Sequence, residues 1–363
     1  MSGADRFLRA CRGEAHDAVP IWLMRQAGRY QPEYRALREH HGMLEIAGTP
    51  HLASQVTCLP VERYGLDAAI LFSDITVPAG PAGVDYEIRE GVGPVVANPV
   101  RTLPDVLRLR VIDPASDLPE VSEAVRASVD RLRGVPLIGF AGGPFTLASY
   151  LVEGRPSRDY RETKRLMWGE PDAWRRLMEL LGEIVARHLE AQVRAGAQAV
   201  QIFDSWVGAL SPRDYRDLVL PVMRGIFARL AALGVPRIYF GVGTAGLLPL
   251  MREAGPDVLG IDWRMSLHEA RERIGGGLAL QGNLDPAVLL QPWAVVEREA
   301  RRVLADAGGD PAYIFNLGHG VLPATDPSVV ERLVRLVHEE GRVDGGPALK
   351  TTSAPVGQEG GSV

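Results

Sequence analysis

At 363 residues and 39.4 kDa, the chain has room for one or two domains, or for a single α/β barrel, which commonly runs past ~250 residues. A net charge of −5 and a pI near 6.0 exclude general binding of nucleic acid or other polyanions, so any recognition of anions has to be local. Hydrophobic residues make up 46 %, enough for a large core. No apolar run reaches the ~18 residues of a membrane span and no signal-peptide core is present, so the expectation is a cytoplasmic protein without membrane association. Cys11 and Cys58 are too few for a disulfide framework and lack metal-type spacing. Lysine occurs only at 164 and 350, in an arginine-rich stretch and near the C-terminus, which argues against Schiff-base or pyridoxal chemistry from a strand-end lysine.

Short β-rich runs alternate with amphipathic stretches, the pattern of a parallel sheet wrapped by helices. The runs fall at 20–24, 67–73, 136–141, 198–204, 236–241, 257–262, 278–282 and 313–317, the number of strands in a closed (β/α)8 barrel. After the first run, Gly28 lets the chain turn, and Pro32 opens a helix at the first-turn position proline favours. After the second, residues 83–97 read as a hairpin with turn glycines at 91 and 93, an excursion on the rim. Val121, Val125, Val129 and Leu132 keep helical spacing. Pro171 and Asp172 open a helix whose Trp174, Leu177, Leu181, Ile184, Val185 and Leu189 share a face, and Gly196 closes it. Ser211-Pro212 starts another, bent at Pro221 and stopped near Gly234. The expected division is a barrel over 1–340 and a disordered Gly/Pro/Ser/Thr-rich tail over 341–363.

Barrel enzymes place their chemistry at the carboxyl ends of the strands. Here those ends carry Arg25 and Arg29, then Ser73-Asp74, then Gly139-Phe-Ala-Gly-Gly-Pro-Phe-Thr-Leu-Ala-Ser-Tyr150, then Phe203-Asp-Ser205-Trp, and finally Asn316-Leu-Gly-His319-Gly. Arg25, Arg29, Arg35 and Arg38 crowd beside Trp22, Tyr30 and Tyr34, a combination that suits a planar or cup-shaped ligand bearing carboxylates. Each residue has a plainer alternative. Asp74 could cap a helix, Ser205 could satisfy a local amide, His319 could pack in a loop, and the arginines could be solvated. His40 and His41 are adjacent and diverge, while His188 lies on an apolar helix face and reads as packing. Gly-x-Ser-x-Gly and His-Glu-x-x-His are absent, as is any metal-type carboxylate and histidine cluster. What remains is a reaction without a cofactor on an anionic substrate that supplies its own electron sink.

Three segments, Ile21-Trp-Leu-Met-Arg-Gln-Ala-Gly-Arg-Tyr30, Gly139–Tyr150 and Asn316–Gly320, closely resemble the uroporphyrinogen decarboxylases, and the likeness runs from Phe7 to about Glu340. The resemblance implies a (β/α)8-barrel subunit that works as a homodimer with facing clefts, takes the four acetates of uroporphyrinogen to the methyl groups of coproporphyrinogen in haem biosynthesis, and uses no metal or organic cofactor. Carried over residue by residue, it puts catalytic roles on Asp74, Arg25, Arg29, Tyr150 and His319. It puts substrate contacts on these and on Gln26, Arg38, Ile70, Phe140, Phe203 and Ser205. Two rivals stand beside it. Gly241-Val-Gly-Thr-Ala-Gly246 with Asp262 resembles a dinucleotide fingerprint. A non-catalytic tetrapyrrole carrier, or a zinc-dependent methyltransferase barrel, would share the scaffold; for the latter, Cys11 and Cys58 lie away from strand ends.

Overall fold

The computed structural model describes residues 3–89 and 91–342. Its strands are β1 (Ala69–Ile70), β2 (Tyr86–Arg89), β3 (Gly93–Val96), β4 (Leu137–Gly142), β5 (Ala199–Asp204), β6 (Arg237–Gly241), β7 (Val258–Gly260), β8 (Ala279–Leu284) and β9 (Tyr313–Leu317). Seven of them form one curled parallel sheet in the order β1-β4-β5-β6-β7-β8-β9, with helices over its outer face. Every residue of β4, β8 and β9 is buried, which is why these strands read as near-continuous apolar runs and do not alternate.

The first predicted strand, 20–24, is not one. Ile21 makes a single parallel bridge to Phe315 of β9, where Phe315 N donates to Pro20 O at 2.9 Å. On its other side Ile21 O accepts from Asp67 N at 2.9 Å, so residues 20–22 fill the gap between β9 and β1 and complete the curl. Pro20 has no N–H to extend a ladder, and the chain turns away at Arg25, which adopts a left-handed φ of 58°. The second strand shrinks to two residues for the same reason: beyond Leu71 the chain bends into the turn at Asp74.

The barrel interior is tied by a polar relay, in which Trp22 Nε1 donates to Gln281 Oε1 at 2.9 Å and Gln281 Nε2 to Gln201 Oε1 at 3.0 Å. Outside, Pro171–Ala195 forms the expected long helix, with the six predicted core residues buried and Gly196 ending it at φ 123°. Burial holds the His188 imidazole down to about 4, a packed neutral histidine. The stretch opened by Ser211 divides into Pro212–Leu218 and Leu220–Ala231. The break lies at Val219, so that Pro221 falls in a first turn, where its missing N–H costs nothing. β2 and β3 pair as the predicted antiparallel hairpin, with Gly91 and Gly93 at φ 73° and 103°. Gly341 O still accepts from Val19 N at 2.8 Å, while the expected tail from 343 onward lies outside the described residues. No helix among the described residues is long and apolar enough to cross a membrane.

Candidate active site

The loop 23–31 builds the arginine end of the rim. Gln26, fully buried, accepts from Leu23 N at 3.0 Å through Oε1 and donates from Nε2 to Ala68 O at 3.1 Å, pinning the loop to the start of β1. Its amide is consumed by backbone, so Gln26 shapes the loop and its side chain does not line the cleft as the resemblance implied. Met24 N donates to Asn316 Oδ1 at 3.0 Å and Met24 O accepts from Val321 N at 2.9 Å, which leaves Arg25 projecting from the left-handed corner. Its side chain lies across Gly320, where any Cβ would collide with it. Arg35 is spent on the loop, donating to Arg29 O at 3.0 Å and Tyr30 O at 3.1 Å. Arg25 and Arg29 are exposed and have no carboxylate partner among the described residues. Arg38 reaches Tyr34 Oη at 3.5 Å, and its buried Nε has no partner among the described residues.

Asp74 follows β1. Its Oδ1 accepts from Thr76 N at 2.8 Å and from Thr76 Oγ1, while no described residue donates to Oδ2. The helix-capping and ligand-binding readings therefore divide between its two oxygens. Tyr86, on β2, packs against this turn; burial raises its phenol above the ordinary value, with the Asp74 charge adding to the rise. Sequence reasoning did not single out Tyr86, because the hairpin read only as an excursion on the rim and no residue type in it pointed to Asp74.

Tyr150 sits on the helix Pro144–Glu153 with its ring against Trp206, centroids 4.0 Å apart. Its phenol is pushed up to about 12, first by burial, then by the negative charge of Asp74, with the Arg25 guanidinium pulling the other way. It is a neutral hydroxyl at pH 7. His319 is held down to about 4, first by burial and then by the charges of Arg25 and Arg264, against Asp262. Its Nδ1 accepts from Gly320 N at 2.7 Å, so the proton of the neutral ring is on Nε2. The charge of Arg25 thus bears on both Tyr150 and His319, and that of Asp74 on Tyr150, although the four come from separate segments of the chain.

An aromatic wall runs up to His319: Phe140 to Phe203 at 5.6 Å, Phe203 to Phe240 at 6.0 Å, and Phe240 to His319 at 6.3 Å between centroids. Phe140 and Ile70 show only an edge, at 9 % and 8 % exposure, and Ser205 is half-buried beside Trp206. Concavity by itself points elsewhere. A hollow of 810 Å3 opens at the opposite, amino-terminal ends of β6 to β9. Two of its three guanidinium groups are already paired, Arg237 with Asp257 at 2.8 Å and Arg271 with Asp310 at 2.5 Å, and it carries none of the candidate site residues singled out in the sequence.

The dinucleotide alternative loses its acid. Asp262 accepts from Gly243 N at 2.5 Å and from Arg264 Nη1 at 2.7 Å, so the carboxylate that would meet a ribose closes the glycine turn. Cys11 and Cys58 are buried in helices, and burial raises both thiols, that of Cys58 to about 11.

Comparisons with known proteins agree with the geometry. The family model described as "Uroporphyrinogen decarboxylase (URO-D)" matches residues 2–340. The uroporphyrinogen decarboxylase of Geobacillus kaustophilus (strain HTA426) is 55 % identical over 335 residues, covering 92 % of this chain and 97 % of that protein. That of Thermobifida fusca (strain YX) is 56 % identical over 334 residues, covering 92 % of each. Among solved structures, a methyltransferase from Methanosarcina mazei superposes with a TM-score of 0.79 at 22 % identity, covering 94 % of this chain and 99 % of that one, a likeness of fold. On this match over nearly its whole length, the chain belongs to the uroporphyrinogen decarboxylase family, carboxy-lyases of porphyrin biosynthesis.

Proposed function

We propose that the rim cleft is where this decarboxylase binds and converts its tetrapyrrole, with residues 1–340 as one catalytic unit working in the cytoplasm as a homodimer whose clefts face each other. A porphyrinogen is a flexible macrocycle, and when it domes its four pyrrole N–H groups tilt to one side. Asp74 Oδ2, to which no described residue donates, is suited to accept them. Hydrogen bonds to a charged acceptor contribute roughly 1.5–3 kcal/mol each, enough to fix the ring. Arg25 and Arg29 take acetate and propionate carboxylates, with Arg38 as a third cation. The Tyr150 hydroxyl, the His319 Nε2–H and the Ser205 hydroxyl donate to carboxylates as neutral groups. Ile70, Phe140 and Phe203 pack against the ring face.

Losing CO2 requires a place for the electron pair of the broken C–C bond. A proton added at a pyrrole carbon makes the ring cationic. Cleavage then returns the pair to the ring, releases CO2 and leaves an exocyclic methylene. This methylene takes a second proton to become methyl, and the ring carbon gives up the first. Each acetate consumes one proton and nothing is oxidised or reduced. A fixed carboxylate ~4 Å from the cationic ring, at an effective dielectric of ~20, stabilises it by on the order of 4 kcal/mol before other costs. The guanidinium groups act here as fixed positive charges.

The reading rests on one observation above the others: Arg25, exposed and without a carboxylate partner among the described residues, lies against Gly320 beside His319, while Asp74 keeps one oxygen to which no described residue donates. The test is anaerobic turnover of uroporphyrinogen III by Asp74→Asn. We expect a loss of at least about 100-fold with unchanged circular dichroism. Turnover at the wild-type rate would remove Asp74 from the mechanism. Sedimentation equilibrium tests the dimer, and a monomer at micromolar concentration would refute it.

A further inference from the structure

Asp204, at the end of β5, is fully buried and has no part in the chemistry described above. The helix Pro144–Glu153, which carries Tyr150, begins after Gly143, an N-cap residue with no side chain to satisfy the first free N–H groups. Asp204 fills that place from the neighbouring strand. Its Oδ1 accepts from Thr146 N at 3.0 Å and from Thr146 Oγ1 at 2.7 Å, the position a capping side chain ordinarily serves. Gly143 N donates to Phe203 O at 2.8 Å, and a Cβ on Gly143 would collide with the Asp204 carboxylate, so glycine is what lets the acid lie beneath the helix. The other oxygen, Oδ2, accepts from Tyr239 Oη at 3.2 Å, and Tyr239 is itself bonded by Tyr215 Oη at 3.2 Å.

Two routes lead from this carboxylate to Tyr150. Thr146 and Tyr150 stand four residues apart and share a helix face. The Thr146 hydroxyl also accepts from Trp206 N at 3.1 Å, and the Trp206 ring is the one packed, tilted by 33°, against Tyr150. We propose that Asp204 is a positioning residue that aims the Tyr150 hydroxyl, by capping the helix of Tyr150 from the adjacent strand and by holding the Thr146 hydroxyl that fixes Trp206. This rests on the role given to Tyr150 above. A neutral hydroxyl acts only if it is aligned, and a misplacement of ~1 Å can cost ~100-fold in rate.

The test is a double-mutant cycle read by kcat, KM and the distribution of partly decarboxylated products, with Thr146→Val and Thr146→Ser made in wild-type and Tyr150→Phe backgrounds. Valine keeps the volume and removes the hydroxyl, while serine restores it. We expect Thr146→Val to lower kcat about tenfold with less than about a twofold change in KM and to accumulate intermediates, and Thr146→Ser to stay within about twofold of wild type. In Tyr150→Phe, Thr146→Val should cost less than about twofold more. An unchanged kcat in Thr146→Val, or the same loss in both backgrounds, overturns the positioning role. Wild-type rates and products in Tyr150→Phe alone would instead overturn the role of Tyr150. Asp204→Ala, which removes the capping oxygen, runs through the same cycle should the valine variant not fold. Its loss of kcat should vanish in the Tyr150→Phe background, and an additive loss counts against the proposal.

Discussion

Arg29 has no carboxylate to neutralise it among the described residues, whereas the neighbouring Arg63 pairs with Glu33 and Arg6 with Asp17 and Asp67. A cation kept free at the rim suits a ligand's carboxylates, and the forked guanidinium matters as much as its charge. Arg29→Lys should raise KM about tenfold while kcat falls less than about threefold, and equal KM values would argue against carboxylate binding there. Asp204 gives a residue-scale test by pH. Burial raises its carboxyl to about 6 from an ordinary 3.8, against the bonds from Thr146 and Tyr239. The folded state therefore favours the protonated acid, a contribution fully present below pH ~4 and lost as pH rises through ~6, about 3 kcal/mol in all. Asp204→Asn does not titrate, so the stability of wild type relative to this variant should fall between pH 4 and 7 in urea unfolding; a flat difference would show that the acid is not held as described. Asp74, Arg25, Tyr150 and His319 were singled out in the sequence because each follows a run read as a strand; the structure keeps Asp74 and His319 just past β1 and β9, puts Arg25 at the corner after a single bridge and Tyr150 on a helix. Gln26 was misread because bonds to backbone leave no trace in residue type. Asp204 and Thr146 were missed because they meet across 58 residues of sequence.

Elements were legible where local chemistry decides them. The β2–β3 hairpin follows from two glycines that accept positive φ, and the helix Pro171–Ala195 from its proline start and glycine stop. The segment 20–24 was not, because an apolar run after a proline reads as a strand whatever its partners. What the structure adds there is a corner that holds Arg25 left-handed, supported by Asn316 below and Gly320 beside it. Gly320 is not itself at positive φ, so its backbone would tolerate alanine, and the added methyl would press on Arg25. Gly320→Ala should therefore lower kcat/KM by about 10- to 100-fold while the melting temperature drops by only a few degrees. Unimpaired catalysis would mean that Arg25 does not work from where it rests.

On the scale of the whole molecule, the sheet is completed by a bridge of one residue, and something else must hold that seam. Asp67 does so from the face opposite the cleft. Its Oδ2 accepts from Ile21 N at 2.8 Å and lies 2.7 Å from His338 Nε2, and its Oδ1 accepts from Arg6 Nη1 at 2.7 Å. One carboxylate, 2 % exposed, thereby ties the helix Gly3–Cys11, the bridging segment and the helix Pro327–Glu340 together. Removing it takes the acceptor from Ile21 N and His338 and leaves Arg6 only its exposed carboxylate partner Asp17 among the described residues; breaking a buried ion pair in this way costs roughly 3–5 kcal/mol. Asp67→Ala should lower the melting temperature by on the order of 10 °C. Because the pair is shielded from solvent, the loss should persist in ~1 M salt, where exposed pairs are screened. Since the clasp lies away from the rim, kcat measured well below the transition should stay near wild type. A calorimetric scan in low and high salt checks the first claim and anaerobic turnover the second; a variant as stable as wild type would mean that packing alone closes the sheet.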